Sequence, residues 1–263
     1  MASKKLVLLL MGSLFFDPHF AHAKVVSFGH NLTSTTHVLD KGQFELGVPA
    51  VAVGISEKFT AGTSTWLMQD YNMYNLYLRY LLKKNESYSQ ALQASYYKTD
   101  GGSNTYRMEA GWLNWIHGWH FNSGYIFFLN AQFMYFVDET IPFSLRRPRV
   151  WRDPTEFNIS TLHEVKLVHG FYLMGELGIL GVVRKFPLIH SGASLQWRSN
   201  HWLIQIGYST TATLAAIGGN RKYRQDVATY ISNGDDHGLG DHLAQFIKYD
   251  YSLHPEVVIQ WYY

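Results

Sequence analysis

The chain of 263 residues carries 22 basic and 20 acidic side chains and a net charge of +2 at pH 7, which excludes the single-sign surface typical of nucleic-acid-binding proteins. It contains no cysteine, so neither disulfide bonds nor a lipid anchor on an N-terminal Cys are available to it. Aromatic residues equal charged residues at 16% of the chain, and Tyr and Trp suit a membrane interface because each has an apolar ring and a polar tip.

The first 23 residues predict a cleavable export signal. Two lysines precede an apolar run from 6 to 16, and Ala21-His22-Ala23 has the small residues that precede a signal-peptidase cut. The apolar run is shorter than the roughly 20 residues of a transmembrane helix, and an uncleaved anchor is the alternative. We therefore expect a signal peptide at 1–23 and one mature domain at 24–263.

The mature chain opens with a polar stretch and continues as a series of strands. Residues 24–41, with four hydroxyl side chains in a row at 33–36, predict a loose lead-in or one weak strand. Alternation of apolar and polar residues then predicts a strand over 43–55, a tight turn at 56–58 and a returning strand over 59–66. Further strands are predicted at 74–82, 88–96, 106–116, 125–136, 157–167, 171–182, 188–197, 202–213, 243–251 and 257–263.

These segments predict an all-β fold, a single antiparallel transmembrane β-barrel of about twelve strands, within a range of ten to fourteen. An exported, aromatic-rich chain without a spanning helix has one way to cross a membrane, because only a closed barrel satisfies every backbone group in lipid. The rival class is a soluble β-sandwich, whose strands also alternate. With this count, the short turns at 56–58 and 253–255 would lie outside the cell, the reverse of the usual arrangement. Either the barrel inverts the usual lengths, or the count is wrong by a strand, in 24–41 or 216–240.

The last predicted strand carries a family resemblance. Val257, Ile259, Trp261 and Tyr263 fall on one face at the period of two, and the chain ends on an aromatic residue. This ending resembles the closing strand of porin-like outer-membrane β-barrel proteins of Gram-negative bacteria. The resemblance implies export to the outer membrane, contact with its lipid and lipopolysaccharide, and recognition of this strand by the barrel-assembly machinery.

Polar residues on the other face of the strands are expected to line the lumen. Their mixed charges favour a passive, narrow channel for small polar solutes. A non-conducting structural or surface-interaction barrel, filled by its own ion pairs, is the alternative. The expected lining residues are Glu45, Arg79, Arg107, Glu109, Glu164, Lys166, Glu176, His190, Gln196, Arg198, Gln205, Lys248 and Asp250.

A basic loop and the histidines complete the candidate sites. Arg146, Arg147, Arg149 and Arg152 lie in one long predicted loop, where they would attract anionic solutes or lipopolysaccharide phosphate, or remain a solvated surface. The 13 histidines show neither a His-Glu-x-x-His pattern nor the His-x-Ser spacing of outer-membrane lipases. The sequence therefore predicts no catalytic residue, metal or cofactor, and a lipid-modifying enzyme is the least supported alternative.

Overall fold

A computed structural model describes residues 25, 33–48, 50–65, 73–99, 107–121, 124–140, 155–182, 188–210 and 254–263. Within these ranges the chain forms twelve antiparallel strands that close into one barrel, which confirms the predicted fold class. No helix among these residues is long and apolar enough to span a membrane. The strands are β1 (Phe44–Val48), β2 (Ala50–Ser56), β3 (Phe59–Ser64), β4 (Met73–Lys84), β5 (Tyr88–Thr99), β6 (Arg107–Phe121), β7 (Tyr125–Thr140), β8 (Thr155–Lys166), β9 (Phe171–Leu180), β10 (Leu188–Arg198), β11 (Trp202–Ser209) and β12 (His254–Tyr262).

The barrel wall has an apolar outer face and a largely polar inner face. On β4, for example, Leu76 and Leu78 are exposed outside while Arg79 is buried inside. This division follows from the alternation of successive side chains along a strand. The buried polar residues of the strands are Glu45, Thr60, Arg79, Ser89, Ser95, Asn114, Asn130, Gln132, Glu156, Asn158, Ser160, Glu164, Glu176, His190, Ser194, Gln196, Gln205, Ser209 and Gln260.

The predicted strand over 43–55 is wrong, because this stretch forms two strands rather than one. β1 and β2 pair with each other as a hairpin, in which Leu46 lies opposite Val51. The strand predicted at 243–251 lies outside the described residues, and β11 pairs directly with β12. Twelve strands are therefore reached by a different division of the chain from the one expected.

Because 43–55 forms two strands, each connection from there to β11 lies at the opposite end of the barrel from the one expected. Connections of two to four residues, at 57–58, 85–87, 122–124, 167–170 and 199–201, all fall at one end of the barrel, here called the short-turn end. Tyr263 also lies there, bonded to the first residue of β1. The strand ends joined by 49, 65–72, 100–106, 141–154, 181–187 and 210–253 lie at the opposite end, here called the long-loop end although the first of these connections is a single residue. The turn at 57–58 lies at the same end as Tyr263, so of the two alternatives the inverted barrel is not found, and the conflict came from the division of 43–55 into two strands.

The barrel closes where β1 meets β12. Phe44 and Tyr263 exchange two backbone hydrogen bonds of 2.9 Å, and Glu45 lies opposite Tyr262 in the register. On β12, Val257 and Ile259 are exposed on the outer face. Gln260 and Tyr262 are buried on the inner face, so the faces of the last strand are those that the sequence predicts.

Candidate functional site

Part of the chain lies inside the barrel. Residues 33–40, here called the lumen segment, precede β1; five of their eight side chains are buried, Ser34 and His37 are partly buried, and Asp40 at the end is exposed. Thr33, Thr35 and Leu39 are each 0% exposed, although they belong to no strand of the wall. The predicted loose lead-in is therefore, over these residues, the filling of the lumen.

The start of the lumen segment is bonded to β9 and β7. The backbone N–H and the hydroxyl of Thr33 both donate to one carboxylate oxygen of Glu176, at 2.5 and 2.6 Å. Ser34 and Asn130 form a two-way pair, in which the Ser34 N–H donates to the side-chain oxygen and the side-chain amide donates to the Ser34 carbonyl. An amide side chain that meets a backbone N–H and C=O in this way imitates the ladder of a β-sheet.

The end of the segment is bonded to β3 and β4 on the other side. The N–H of Leu39 donates to the Thr60 hydroxyl at 2.8 Å. The Arg79 guanidinium donates to the carbonyl of His37 at 3.0 Å, and two of its other nitrogens donate to Gln93. These bonds satisfy backbone groups that have no partner strand of their own, as buried backbone requires.

The segment therefore crosses the lumen from wall to wall. In a ring of twelve strands β3 and β9 lie six strands apart, which places them on opposite sides of the barrel. Leu39 is bonded to the first of these strands and Thr33 to the second. Between them Thr36 contacts the Ser89 hydroxyl of β5 at 2.6 Å.

Two carboxylate pairs fix the inner wall beside the segment. The second oxygen of Glu176 lies 2.8 Å from His190 Nε2, and both side chains are fully buried. Closer to the short-turn end, Glu164 accepts two hydrogen bonds from Arg198, which also stacks over the ring of Tyr172 at 3.9 Å. A guanidinium that is bonded at two oxygens holds its partner in one orientation.

An apolar cluster packs between the lumen segment and the inner face of the wall. Leu39 packs with Ala52, Leu203 and Tyr262, and the side chain of Val25 packs against the same cluster. Next to it, Glu45 accepts a hydrogen bond from Gln260. Leu39 therefore anchors the segment at the seam where the first and last strands meet.

Most of the predicted lining residues that can be placed lie on the inner face; Glu109 does not, and Lys166, opposite Tyr172 in the register, has the inner-face phase but lies at the rim. Glu109 lies outside, where it accepts a bond from the Tyr96 hydroxyl and pairs with Lys98. The error arises because β6 is apolar on both faces, with Trp112 inside against Tyr97. Lys166 is exposed at the short-turn end. Inside are Glu45, Arg79, Glu164, Glu176, His190, Gln196, Arg198 and Gln205; the Arg107 side chain, Lys248, Asp250, Arg146, Arg147, Arg149 and Arg152 lie outside the described part.

One serine and one histidine meet inside the barrel. Ser89 Oγ lies 3.1 Å from His120 Nε2, on neighbouring strands. The serine is buried and its hydroxyl also contacts Thr36, so the lumen segment covers the group that would act as a nucleophile. In the described ranges no group of three or more His, Cys, Asp or Glu side chains is placed to hold a metal ion.

No protein-family model and no curated protein matches this sequence. The lumen segment and the barrel wall are therefore the features from which a function is inferred. Thr33, Ser34, Thr36 and Leu39 were not among the predicted site residues. The signal that would have indicated them is the run of four hydroxyl residues, because such a run suits a polar lumen better than a lipid-facing strand.

Proposed function

We propose that the protein is an outer-membrane β-barrel of a Gram-negative bacterium. The support is the combination of a closed barrel, an outer face of exposed Leu, Ile, Phe and Tyr side chains, and short turns gathered at the end that holds Tyr263. A closed barrel leaves no unsatisfied backbone toward lipid. Outer-membrane barrels place their short turns in the periplasm and their longer loops outside.

Membrane fractionation tests this placement. The full chain, expressed in a Gram-negative host, is expected in the outer-membrane fraction and is expected to need detergent for extraction. A folded protein that stays in solution after lysis without detergent would contradict the proposal and favour a soluble β protein.

Within that membrane, we propose that the barrel is closed to free diffusion and serves as a structural or surface-interaction barrel rather than as a passive channel. The observation that carries this proposal is the lumen segment, which runs from β3 to β9 and is bonded to five strands of the wall. Solutes would have to pass a segment in which Thr33, Thr35, Thr36, Val38 and Leu39 are buried against the wall.

Planar-bilayer conductance tests the closed lumen. The purified wild-type barrel is expected to give no discrete steps above background. A variant with Glu176→Ala and Asn130→Ala, which removes the bonds to Thr33 and Ser34, is expected to give steps because the segment loses its hold on β9 and β7. Wild-type steps as large as those of the variant would instead establish a passive channel for small polar solutes.

The surface role has two proposed partners. The last strand, with Val257, Ile259, Trp261 and Tyr263 on its outer face, is proposed to be the segment that the barrel-assembly machinery recognises. The arginines of the loop at 145–152 are proposed to bind lipopolysaccharide phosphate, because a guanidinium forms two parallel bonds to phosphate oxygens. Replacement of Arg146, Arg147, Arg149 and Arg152 by Gln is expected to weaken lipopolysaccharide binding without a change in barrel stability.

A further inference from the structure

The outer face of β5 to β8 carries a continuous row of rings near the short-turn end. Tyr88, Trp119, Phe127 and His163 lie side by side in the register of the four strands. Their ring centroids are 5.7, 5.6 and 5.1 Å apart in that order. His117 stacks on Trp119 at 5.7 Å, so the row contains two imidazoles among apolar rings.

The two histidines are held in the same way by tyrosines. The Tyr88 hydroxyl lies 2.6 Å from His117 Nδ1, and the Tyr125 hydroxyl lies 2.8 Å from His163 Nδ1. A phenol that donates to Nδ1 places the proton of a neutral imidazole on Nε2. We take the phenol as the donor in both pairs; each ring then has an N–H at Nε2 on the outer face, where no hydrogen-bond partner lies within the described ranges.

A positive charge lies beside the first of these pairs. The Lys83 ammonium is 5.8 Å from the centre of the Tyr88 ring, and Lys83 faces outward beside Gln90 in the register. Farther from the short-turn end the same face is apolar, with Leu113, Trp115 and Phe133 exposed. An oriented N–H and an ammonium thus stand at the border of an apolar surface.

We propose that Lys83 and His117, the latter oriented by Tyr88, bind the phosphate of a membrane glycerophospholipid, and that His163, oriented by Tyr125, forms a second contact. The phosphate would accept from Nε2–H and lie near the ammonium, while the acyl chains cover the apolar surface beyond. Phosphate oxygens are the acceptors that such charged and oriented donors prefer. This inference rests on the proposed position of the barrel in the outer membrane, with the short turns in the periplasm.

Native mass spectrometry of the folded full-length barrel tests the proposal. Barrels released from detergent micelles are titrated with dioleoylphosphatidylglycerol, with dioleoylglycerol, which has the same chains and no phosphate, and with inorganic phosphate alone. The wild type is expected to retain phosphatidylglycerol and neither of the other two. Equal retention of phosphatidylglycerol and dioleoylglycerol would overturn the phosphate contact, and retention of inorganic phosphate would overturn the assignment to a lipid.

Substitutions test whether the imidazoles of His117 and His163 make the phosphate contact. His117→Phe with His163→Phe, which keeps an aromatic ring but removes the N–H donor, is expected to weaken retention about threefold to tenfold per site, the worth of one hydrogen bond. Tyr88→Phe with Tyr125→Phe keeps both imidazoles but removes the groups that orient them, and the same direction of change is expected. His169→Phe is the control, because His169 is exposed at the same end in a turn. Unchanged retention in both double variants, with folded barrels, would overturn the proposal.

The two proposals fail in different ways. A barrel that needs no membrane or detergent would refute the outer-membrane placement and the lipid contact together. A barrel that fractionates with the outer membrane but does not distinguish phosphatidylglycerol from dioleoylglycerol would refute the lipid contact alone. The ¹⁵N resonance of His117 Nε2, assigned by its absence from His117→Phe, gives an independent measure, since a new hydrogen bond shifts it on addition of phosphatidylglycerol and not of dioleoylglycerol.

Discussion

Thr33 and Glu176 are 143 residues apart in the chain, yet the hydroxyl of the first lies 2.6 Å from the carboxylate of the second inside the barrel. Two donors of the threonine converge on one oxygen, and His190 faces the other. A carboxylate shared in this way ties the chain before β1 to the wall of β9. The contact makes the lumen segment part of the folded core rather than a loose extension.

The hydrogen bonds between Thr33 and Glu176 are expected to limit how fast a reagent reaches the lumen segment. Because the chain has no cysteine, a Thr36→Cys variant offers a maleimide one target, which is buried at 2% exposure. Labelling is expected to be slow compared with Ser56→Cys, which is in an exposed position beside the turn at 57–58. Adding Glu176→Ala is expected to raise the rate about tenfold, the scale of a lost hydrogen bond to a charged group. Glu109→Ala, on the outer face, is the matched control; equal acceleration by both would contradict the role of Glu176.

Arg79 makes contacts that a lysine at the same position could not make, so Arg79→Lys is expected to destabilise the barrel. Its guanidinium bonds His37 and Gln93 through three nitrogens, a pattern that a lysine cannot reproduce. Arg79→Lys is expected to lower the free energy of unfolding by about 2–4 kcal/mol, since buried acceptors lose their donors. Urea unfolding in detergent, followed by circular dichroism, measures it. Lys98→Gln, at a half-exposed outer ion pair, is expected to cost less than about 0.5 kcal/mol, and similar losses for both would count against this explanation.

The pair of Glu164 and Arg198 predicts coupling between two strands. A double-mutant cycle with Glu164→Gln and Arg198→Met is expected to give an interaction free energy of about 1–3 kcal/mol, because each single change leaves a buried partner unsatisfied. The same urea titration provides the four free energies of unfolding. Strictly additive losses would show that the bonds between these side chains contribute nothing beyond their separate packing.

Gly54 lies so close to the lumen segment that a larger side chain at this position would overlap it. A Cβ at this position would overlap the carbonyl oxygen of Asp40, whereas a Cβ at Gly111 meets no atom within 4 Å. Gly54→Val is therefore expected to destabilise the barrel by about 1–3 kcal/mol, the cost of overpacking, and Gly111→Val to be nearly neutral. Resistance of the folded band to heating in gel electrophoresis compares the two, and an equally stable Gly54→Val barrel would contradict the close approach.

The outer face of β12 predicts sensitivity to charge. Ile259→Lys is expected to cost about 2–4 kcal/mol if this position lies near the middle of the bilayer, while Trp261→Asp, closer to the rim, is expected to cost less. The amount of folded protein in the outer membrane reports both effects. Ile259→Leu and Trp261→Phe are the controls; normal levels of both charged variants would mean that lipid does not face this strand.

The alternation of residues was enough to predict the barrel and most of its inner face, because a period of two assigns each side chain to one side of a strand. It failed over 43–55, since the alternation runs on across Pro49 without a polar break. Proline cannot donate a ladder hydrogen bond and so tends to mark the end of a strand. It failed again at Glu109, because apolar residues on both faces of β6 leave the phase undecided.

Local pattern could indicate that the lumen segment suits a polar surrounding, but not where the segment lies. Thr33 finds its partner 143 residues away and Ser34 finds its partner 96 residues away. Such contacts depend on the width of the closed barrel and on which side chains meet across it. A run of hydroxyl residues indicates only that the segment can satisfy polar neighbours, not that it will be enclosed by them.

The seam between β1 and β12 has a consequence for biogenesis. Glu45 and Gln260, which bond across it, are separated by 215 residues, so this contact forms only after nearly the whole chain has been delivered. Bringing distant segments together costs chain entropy, which makes such pairings slow to form. Until then β1 and β11 are open sheet edges, and unpaired edges are the parts of a β protein that add strands from other copies. The last nine residues of the sheet therefore decide whether a newly made chain becomes a solitary barrel or an aggregate.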